Sequence, residues 1–196
     1  MPTRHLDMAL VNQVATAALG WDIEYDYWER QGAMTALLSW EHPEALSTVR
    51  RWLDRAVETQ TSEGWLLHEM TGEKRYLDAA VRQLEAVLAG QDESGFLHDF
   101  LDDPLTPLES SGTLMFAAAA GMATGLDIAD EQITAAGVRA LDAVAAIVAP
   151  DGSIDRVVLP PGGPGVPMGA MPLAVSFFLL AAFRLRSAAG LTEKLG

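Results

Sequence analysis

A histidine and three aspartates lie within six residues of one another in this sequence. His98 and Asp99 are followed by Asp102 and Asp103, and Pro104 ends the run. Carboxylates near a histidine can shift one another's pKa values, so that one of them stays protonated and acts as a general acid. Asp102 and Asp103 are therefore candidate catalytic residues, and His98 is a candidate binding residue. Alternatively, Asp-Asp-Pro is a turn whose carboxylate caps the next helix.

Glu109 is a third candidate catalytic residue. It lies at the start of a segment that is otherwise almost entirely apolar, with Ser110 and Ser111 beside it and Thr113 one helical turn further on. A buried carboxylate needs hydrogen-bond partners, or it will be protonated. A carboxylate at the start of a helix also interacts favourably with the helix dipole. Catalysis and simple helix capping are therefore both open for Glu109.

Three further stretches contain residue types that could bind a substrate. Aromatic and acidic residues alternate between positions 21 and 29, and Trp28 with Glu29 could stack on a sugar ring and hydrogen-bond its hydroxyls. The alternative is that the aromatic rings are core and the acids are solvated. His68 and Arg156 lie in predicted loops. Arg156 could pair with a substrate carboxylate through two hydrogen bonds, or form a surface salt bridge.

Composition excludes several classes of partner and cofactor. The 13 basic residues face 27 acidic ones, for a net charge of -14, which argues against nucleic acid. There is no cysteine, so thiol chemistry is excluded, and a reducing, cytoplasmic compartment fits. One histidine beside acids is short of a metal-ligand set, and no nucleotide-binding motif is present. We therefore expect no metal and no cofactor.

Residues 168–183 form the one stretch that resembles a membrane span. They are uncharged, but these 16 residues are fewer than the roughly 20 that a spanning helix needs, and Pro172 lies near their start. We expect a buried core helix instead, and no membrane partner. The first twenty residues lack the basic and apolar regions of a secretory signal. A cytoplasmic protein is again the expectation.

Helical periodicity dominates the chain. Apolar residues recur at intervals of three and four residues, and this pattern predicts about eight helices joined by short loops. The predicted helices include those near residues 6–19, 25–40, 46–57, 77–88, 107–123, 130–148 and 168–187. Only residues 153–158 suggest a short strand. The loops repeat a Gly-apolar signal at Gly64, Gly95 and Gly152. The fold class is therefore all-α, with stacked helix hairpins in a single domain, 1–196.

Two stretches resemble a known family. Residues 95–104 read Gly-Phe-Leu-His-Asp-Phe-Leu-Asp-Asp-Pro, and residues 108–116 read Leu-Glu-Ser-Ser-Gly-Thr-Leu-Met-Phe. They are similar to the unsaturated rhamnogalacturonyl and glucuronyl hydrolases, in which a Gly-aromatic-His-x-x-Leu-Asp-Asp-Pro loop leads into a Leu-Glu-Thr-Ser-x-Thr-x-Met-Phe helix. Residues 27–34 and 168–183 look like the first and last inner helices of that family. The resemblance covers most of this chain but about half of the family's length.

The resemblance implies an architecture and an assembly. The family folds as a closed barrel of six helix hairpins, and the helices here would form a partial (α/α) toroid of about four. The middle of the family pattern is absent, and since the first and last hairpins of a toroid are neighbours, the remainder would be a contiguous arc. An arc exposes apolar inner faces at its ends. We expect a homodimer that covers them, with a monomeric collapsed bundle as the alternative.

The resemblance also implies a function. It places the loop after His98 at the barrel mouth, where a pocket could bind or act on a uronic-acid-containing saccharide. The predicted pocket residues are Trp28, Glu29, His98, Asp102, Asp103 and Glu109. The family's catalytic aspartate lies in the absent middle segment. Trp52-Leu53-Asp54 matches only the start of that segment, so we expect Asp54 to be a surface residue.

Two other functions remain open at this point. A helical cavity rich in methionine and aromatic residues, with acids at its mouth, could serve a small-molecule cyclase or isomerase of secondary metabolism. The chain could also be a non-catalytic binding or assembly module. Stabilisation by sugars, by terpenoid or polyketide-like ligands, or by a protein partner alone would separate the three.

Overall fold

The computed structural model describes residues 6–20, 33, 36–37, 39–45, 47–48, 84–160 and 165–191. Trp28, Glu29, Asp54 and His68 lie outside these residues, as do the predicted helix at 46–57 for the most part and the Gly64 turn. The described residues therefore do not test the number of hairpins expected from the sequence, and that number stays a prediction. The described residues are mostly helical, as the periodicity predicted.

Four helices carry the described fold. They are α1 (Met8–Leu19), α2 (Ser110–Gly125), α3 (Glu131–Ala145) and α4 (Pro172–Arg184). Asp7 and Asp130 cap α1 and α3, because each carboxylate accepts a backbone N–H 2.8 Å away, from Leu10 and from Ile133. Pro172 occupies the first turn of α4, where its missing N–H costs nothing. The helix predicted near residues 130–148 thus begins directly after its Asp130 cap.

Two short antiparallel ribbons accompany the helices. β1 (Leu97–His98) pairs with β2 (Leu108–Glu109), and β3 (Val157–Val158) pairs with β4 (Met168–Gly169). The predicted strand near 153–158 is confirmed at β3. The prediction that the last helix begins at Met168 is wrong by four residues, since Met168 hydrogen-bonds to β3 and helix α4 starts only at Pro172.

Helix α2 is central and packs against both α3 and α4, while α1 also packs against α4. Close approach is possible because small residues line the contacts. A Cβ added at Gly121 would lie 2.6 Å from the Arg184 Cβ on α4, and one at Gly137 would lie 2.7 Å from the Ala120 Cβ. The nearly all-round apolar character of α2 is explained by this enclosure on two sides.

Helix α4 is a core helix, as predicted for residues 168–183. Phe178 and Leu179 have no exposed surface, and Trp40 donates its indole N–H to the Leu179 carbonyl over 3.2 Å. The Trp40 ring also meets Phe183 edge-on, at 5.5 Å between centroids. Within the described ranges, no helix combines the length and the hydropathy required to cross a membrane.

The loop repeat recognised in the sequence has a matching geometry in two of its copies. In residues 92–96, the Gly95 N–H donates to the Asp92 carbonyl and the Asp92 N–H donates to the Phe96 carbonyl. Residues 149–153 repeat both bonds, with Gly152 in the place of Gly95. The two glycines have φ values of 92° and 84°, which strain other residues. The two turns dock on different helices, Gly95 on α3 and Gly152 on α1.

Candidate functional site

The β1–β2 hairpin carries most of the described candidate catalytic and binding residues. Its loop is tightly bonded, because the Asp99 N–H donates to the Pro107 carbonyl over 2.8 Å and the Asp103 N–H donates to the Phe100 carbonyl over 2.9 Å. The Thr106 hydroxyl donates to the Asp103 carbonyl over 2.7 Å. The side chains on this loop are therefore held on a defined backbone.

Asp102 and Asp103 are exposed at the tip of this loop. The Asp103 carboxylate accepts the Leu105 N–H at 3.0 Å, which is the aspartate turn that the sequence offered as an alternative to catalysis. The geometry thus explains Asp103 as a turn residue, and a catalytic role for either aspartate stays a prediction.

Glu109 is buried, with 6% of its surface exposed, and its carboxylate is surrounded by donors. Oε1 accepts the Ser111 N–H at 3.0 Å, the Ser111 hydroxyl at 2.7 Å and, more weakly, the Val158 N–H at 3.4 Å. Oε2 accepts the Gly112 N–H at 2.5 Å. The carboxylate therefore caps helix α2 and ties it to β3, an arrangement that positions the hairpin.

His98 is fixed by hydrogen bonding at one ring nitrogen. Nδ1 lies 2.6 Å from the Thr106 carbonyl oxygen, and since a carbonyl only accepts, Nδ1 carries the hydrogen. Nε2 faces the Asp92 carboxylate, with 3.8 Å between Nε2 and Oδ2. The imidazole side chain is 13% exposed and the Asp92 side chain is 35% exposed. The second nitrogen is thus directed at a carboxylate across a short gap.

Asp92 is a residue that the sequence analysis did not select. Hydrogen bonds from the Ser94 hydroxyl and the Ser94 N–H lower the pKa of Asp92, so its carboxylate is charged at neutral pH. Asp92 lines a cleft of about 510 Å³ together with Gln91, Asp130 and Arg139. The sequence signal that could have found it is the Asp-x-Ser-Gly turn directly before the hairpin.

Arg156 lies beside the hairpin in an unusual backbone conformation. Its φ is 63°, a left-handed value that is uncommon for residues other than glycine. The Arg156 carbonyl accepts the Ser110 N–H over 2.8 Å, and the guanidinium Cζ lies 5.5 Å from the centroid of the Phe96 ring. Among the described residues, Arg156 makes this cation–π contact and no salt bridge. Its charge remains accessible at the surface.

The structure therefore brings together some of the predicted residues and separates others. His98, Glu109 and Arg156 surround the hairpin and the start of α2, whereas Asp102 and Asp103 lie on the loop tip. Trp28, Glu29 and His68 lie outside the described residues. Within the described ranges, no group of three or more histidine or acidic side chains could hold a metal ion.

Solved structures of saccharide-processing enzymes have a similar fold. A possible member of the GH105 family from Salmonella enterica superposes with a TM-score of 0.55 and 20% identity, over 80% of this chain and 53% of that one. A possible member of the GH105 family from Klebsiella pneumoniae superposes with a TM-score of 0.54 and 23% identity, over 78% of this chain and 38% of that one. A polysaccharide lyase superposes with a TM-score of 0.53 and 17% identity, over 89% of this chain and 66% of that one.

The match is partial in length and low in sequence identity, at 17–23%. The chain spans about half, or less, of the two glycosidase structures. No protein-family model matches the chain, and no curated protein is significantly similar to it. At these identities the similarity establishes the fold. The resemblance recognised in residues 95–116 is therefore confirmed at the level of architecture, and this chain shares the helical scaffold of the unsaturated glycuronyl hydrolases over part of their length.

Proposed function

We propose that this protein is carbohydrate-active and binds a uronic-acid-containing saccharide beside the β1–β2 hairpin. The proposal rests on the position of Arg156, whose exposed guanidinium lies over the Phe96 ring next to the β1–β2 hairpin. A guanidinium recognises a carboxylate through paired hydrogen bonds. The similar folds of two glycosidases and a polysaccharide lyase support a saccharide as the source of that carboxylate.

Each residue of the proposed site has a distinct role. Arg156 binds the substrate carboxylate, His98 hydrogen-bonds a hydroxyl, and Glu109 positions the hairpin against α2. Asp102 or Asp103 would supply the acid if the protein is a hydrolase. Trp28, Glu29 and His68 belong to the same proposed pocket on the strength of the family resemblance.

A titration with a Δ4,5-unsaturated uronyl disaccharide tests this function. We expect binding by calorimetry, and hydrolysis as a loss of the enol ether absorbance. Arg156→Gln should weaken binding about ten-fold or more, because a charge-assisted hydrogen-bond pair is lost. Arg186→Gln is the matched control, since Arg186 is also an exposed arginine over a phenylalanine ring, 4.1 Å from the Phe183 centroid.

The two variants separate a specific site from general charge effects. Equal weakening by Arg156→Gln and Arg186→Gln would show that bulk charge, and not the hairpin, attracts the ligand. No binding of the disaccharide by the unaltered protein would reject the proposed function. Binding without hydrolysis would assign a recognition role and remove Asp102 and Asp103 from catalysis.

We further propose the finer architecture that the resemblance implies. The chain would be a single domain, 1–196, forming an arc of about four hairpins, and two arcs would associate as a homodimer in the cytoplasm. Contact between α1 and α4 supports the arc, because the first and last hairpins of such a toroid are neighbours. One hydrophobic cluster that extends from Leu10 to Leu191 supports the single domain.

A further inference from the structure

Arg156 carries its side chain on a strained backbone. Its φ of 63° lies in the left-handed region, where the side chain of a residue other than glycine is crowded by its own backbone. In the two repeated turns, positive φ values occur at Gly95 and Gly152, which adopt them without this strain. An arginine in such a conformation indicates that its side chain is needed there and that neighbouring groups hold it in place.

Ser110, the first residue of α2, is the residue that holds this backbone. Its hydroxyl donates to the Asp155 carbonyl over 2.6 Å, and its N–H donates to the Arg156 carbonyl over 2.8 Å. The N–H of Arg156, which lies between these two carbonyls, donates to the Asp155 carboxylate over 2.7 Å. Ser110 has no exposed surface, so water does not compete for its hydroxyl. One serine therefore fixes two successive carbonyls, one on each side of the strained residue's N–H.

The Phe96 ring holds the other end of Arg156, and it too is tied to α2. The guanidinium Cζ lies 5.5 Å from the centroid of this buried ring. The residue after Phe96 is Leu97, whose N–H donates to the Thr113 hydroxyl over 2.8 Å. Thr113 lies one helical turn after Ser110. The first turn of α2 therefore sets both the backbone of Arg156 and the ring beneath its guanidinium.

We propose that Ser110 is a positioning residue, which holds Arg156 in the conformation that keeps the guanidinium over Phe96 and ready to pair with a ligand carboxylate. The inference deepens the proposed function and rests on it for the identity of the ligand. Without the Ser110 hydroxyl, the backbone at Arg156 relaxes and the guanidinium has to be ordered when the ligand binds. That ordering lowers the affinity.

The substitution Ser110→Ala removes the hydroxyl and leaves the N–H that bonds to Arg156. Ser176→Ala is the matched control, because Ser176 also has no exposed surface and its hydroxyl also donates to a backbone carbonyl, that of Pro172, over 3.2 Å. Both variants lose a buried hydrogen bond, so both should be less stable than the unaltered protein. We expect Ser110→Ala to weaken binding of the uronyl disaccharide about three-fold to ten-fold, and Ser176→Ala to change it less than about two-fold.

Nuclear magnetic resonance of the Arg156 side-chain Nε–H provides a readout that needs no ligand. The ring current of Phe96 displaces this resonance from its value in a short peptide, and its loss in Arg156→Gln identifies it. We expect Ser110→Ala to move the resonance towards the peptide value and Ser176→Ala to leave it in place. A resonance that both variants leave unchanged would overturn the inference.

Substitutions at position 156 test the strain even if Ser110→Ala does not fold. Arg156→Gly and Arg156→Gln both remove the guanidinium, but only glycine adopts the left-handed backbone without strain. We therefore expect Arg156→Gly to have the higher midpoint of urea denaturation. Arg186 provides the control pair, since its φ is not positive, and there glutamine should be more stable than glycine. The same order at both positions, with glutamine the more stable, would overturn the inference.

The outcomes distinguish this inference from the proposed function. Disaccharide binding that Ser110→Ala and Ser176→Ala change equally would overturn the positioning role and keep the function. Failure of the disaccharide to bind, together with a shift of the Arg156 resonance in Ser110→Ala alone, would keep the positioning role and reject the function. The absence of both responses would reject both.

Discussion

Within the described part of the chain, the donors to the Glu109 carboxylate lie in helix α2 and strand β3, so their hydrogen bonds stabilise the fold. Three of the donors belong to the first turn of α2 and one to β3. A glutamine here would turn an NH₂ group toward one of these donors. At Asp130, by contrast, a single oxygen accepts the Ile133 N–H, and an asparagine keeps that bond.

We therefore expect Glu109→Gln to lower the free energy of unfolding by about 1–3 kcal/mol. Asp130→Asn, the control, should change it by less than about 0.5 kcal/mol, because asparagine caps as well as aspartate. Urea denaturation measures both. If Glu109→Gln retains full stability but loses activity, Glu109 is a catalytic residue and not a cap.

Residue roles were only partly predictable from the sequence. The turn at Asp103 and the cap at Asp130 follow from local chemistry, so the residue types indicate them directly. The pairing of Asp92 with His98 depends on how the turn and the hairpin meet. Residue type alone could not show that Nδ1 is engaged by the Thr106 carbonyl and that Nε2 lies 3.8 Å from Asp92 Oδ2.

Elements with long periodic patterns were predicted well, whereas of the four described two-residue strands only β3 was predicted. The apolar stripe of α3 and the enclosed character of α2 each extend over three or more turns, so the helices follow from the sequence. β1 and β2 contain two residues each, too few for an alternating pattern. Their pairing depends instead on the loop that Thr106 and Asp103 close.

The spacing of the helices depends on glycines at their contacts, which gives a prediction at this scale. Gly137→Ala would bring its Cβ to 2.7 Å from the Ala120 Cβ, so α2 and α3 must separate. We expect a loss of about 1–3 kcal/mol in the free energy of unfolding. Gly125→Ala, in α2 with nothing within 4 Å, should instead stabilise by about 0.5–1 kcal/mol.

Thermal or urea unfolding of the two alanine variants checks this packing. Opposite signs for the two changes are the expected result, because the same substitution is made in a crowded and in an open position. If Gly137→Ala is as stable as Gly125→Ala, the α2–α3 contact is looser than the structure shows.

At the scale of the whole molecule, the chain matches only part of its structural neighbours. It spans 53% and 38% of the two glycosidase structures, yet α1 still packs against α4. The sequence resemblance also indicated a match to only part of the family pattern, because the matched motifs belong to its beginning and its end. Assembly cannot be read from the motifs, since interfaces depend on which apolar faces remain uncovered.

Light scattering coupled to size exclusion tests the proposed homodimer. Two arcs that cover each other's apolar faces should give a mass of about twice the 21.0 kDa of one chain, independent of concentration in the micromolar range. A single species of 21.0 kDa at all concentrations would show that the chain closes its own core as a monomer.

A crystal structure with the uronyl disaccharide bound would show where the protein binds this ligand. We expect the sugar to lie beside the β1–β2 hairpin, with its carboxylate bound to Arg156. A disaccharide bound elsewhere, with Arg156 facing only solvent, would reject the proposed site.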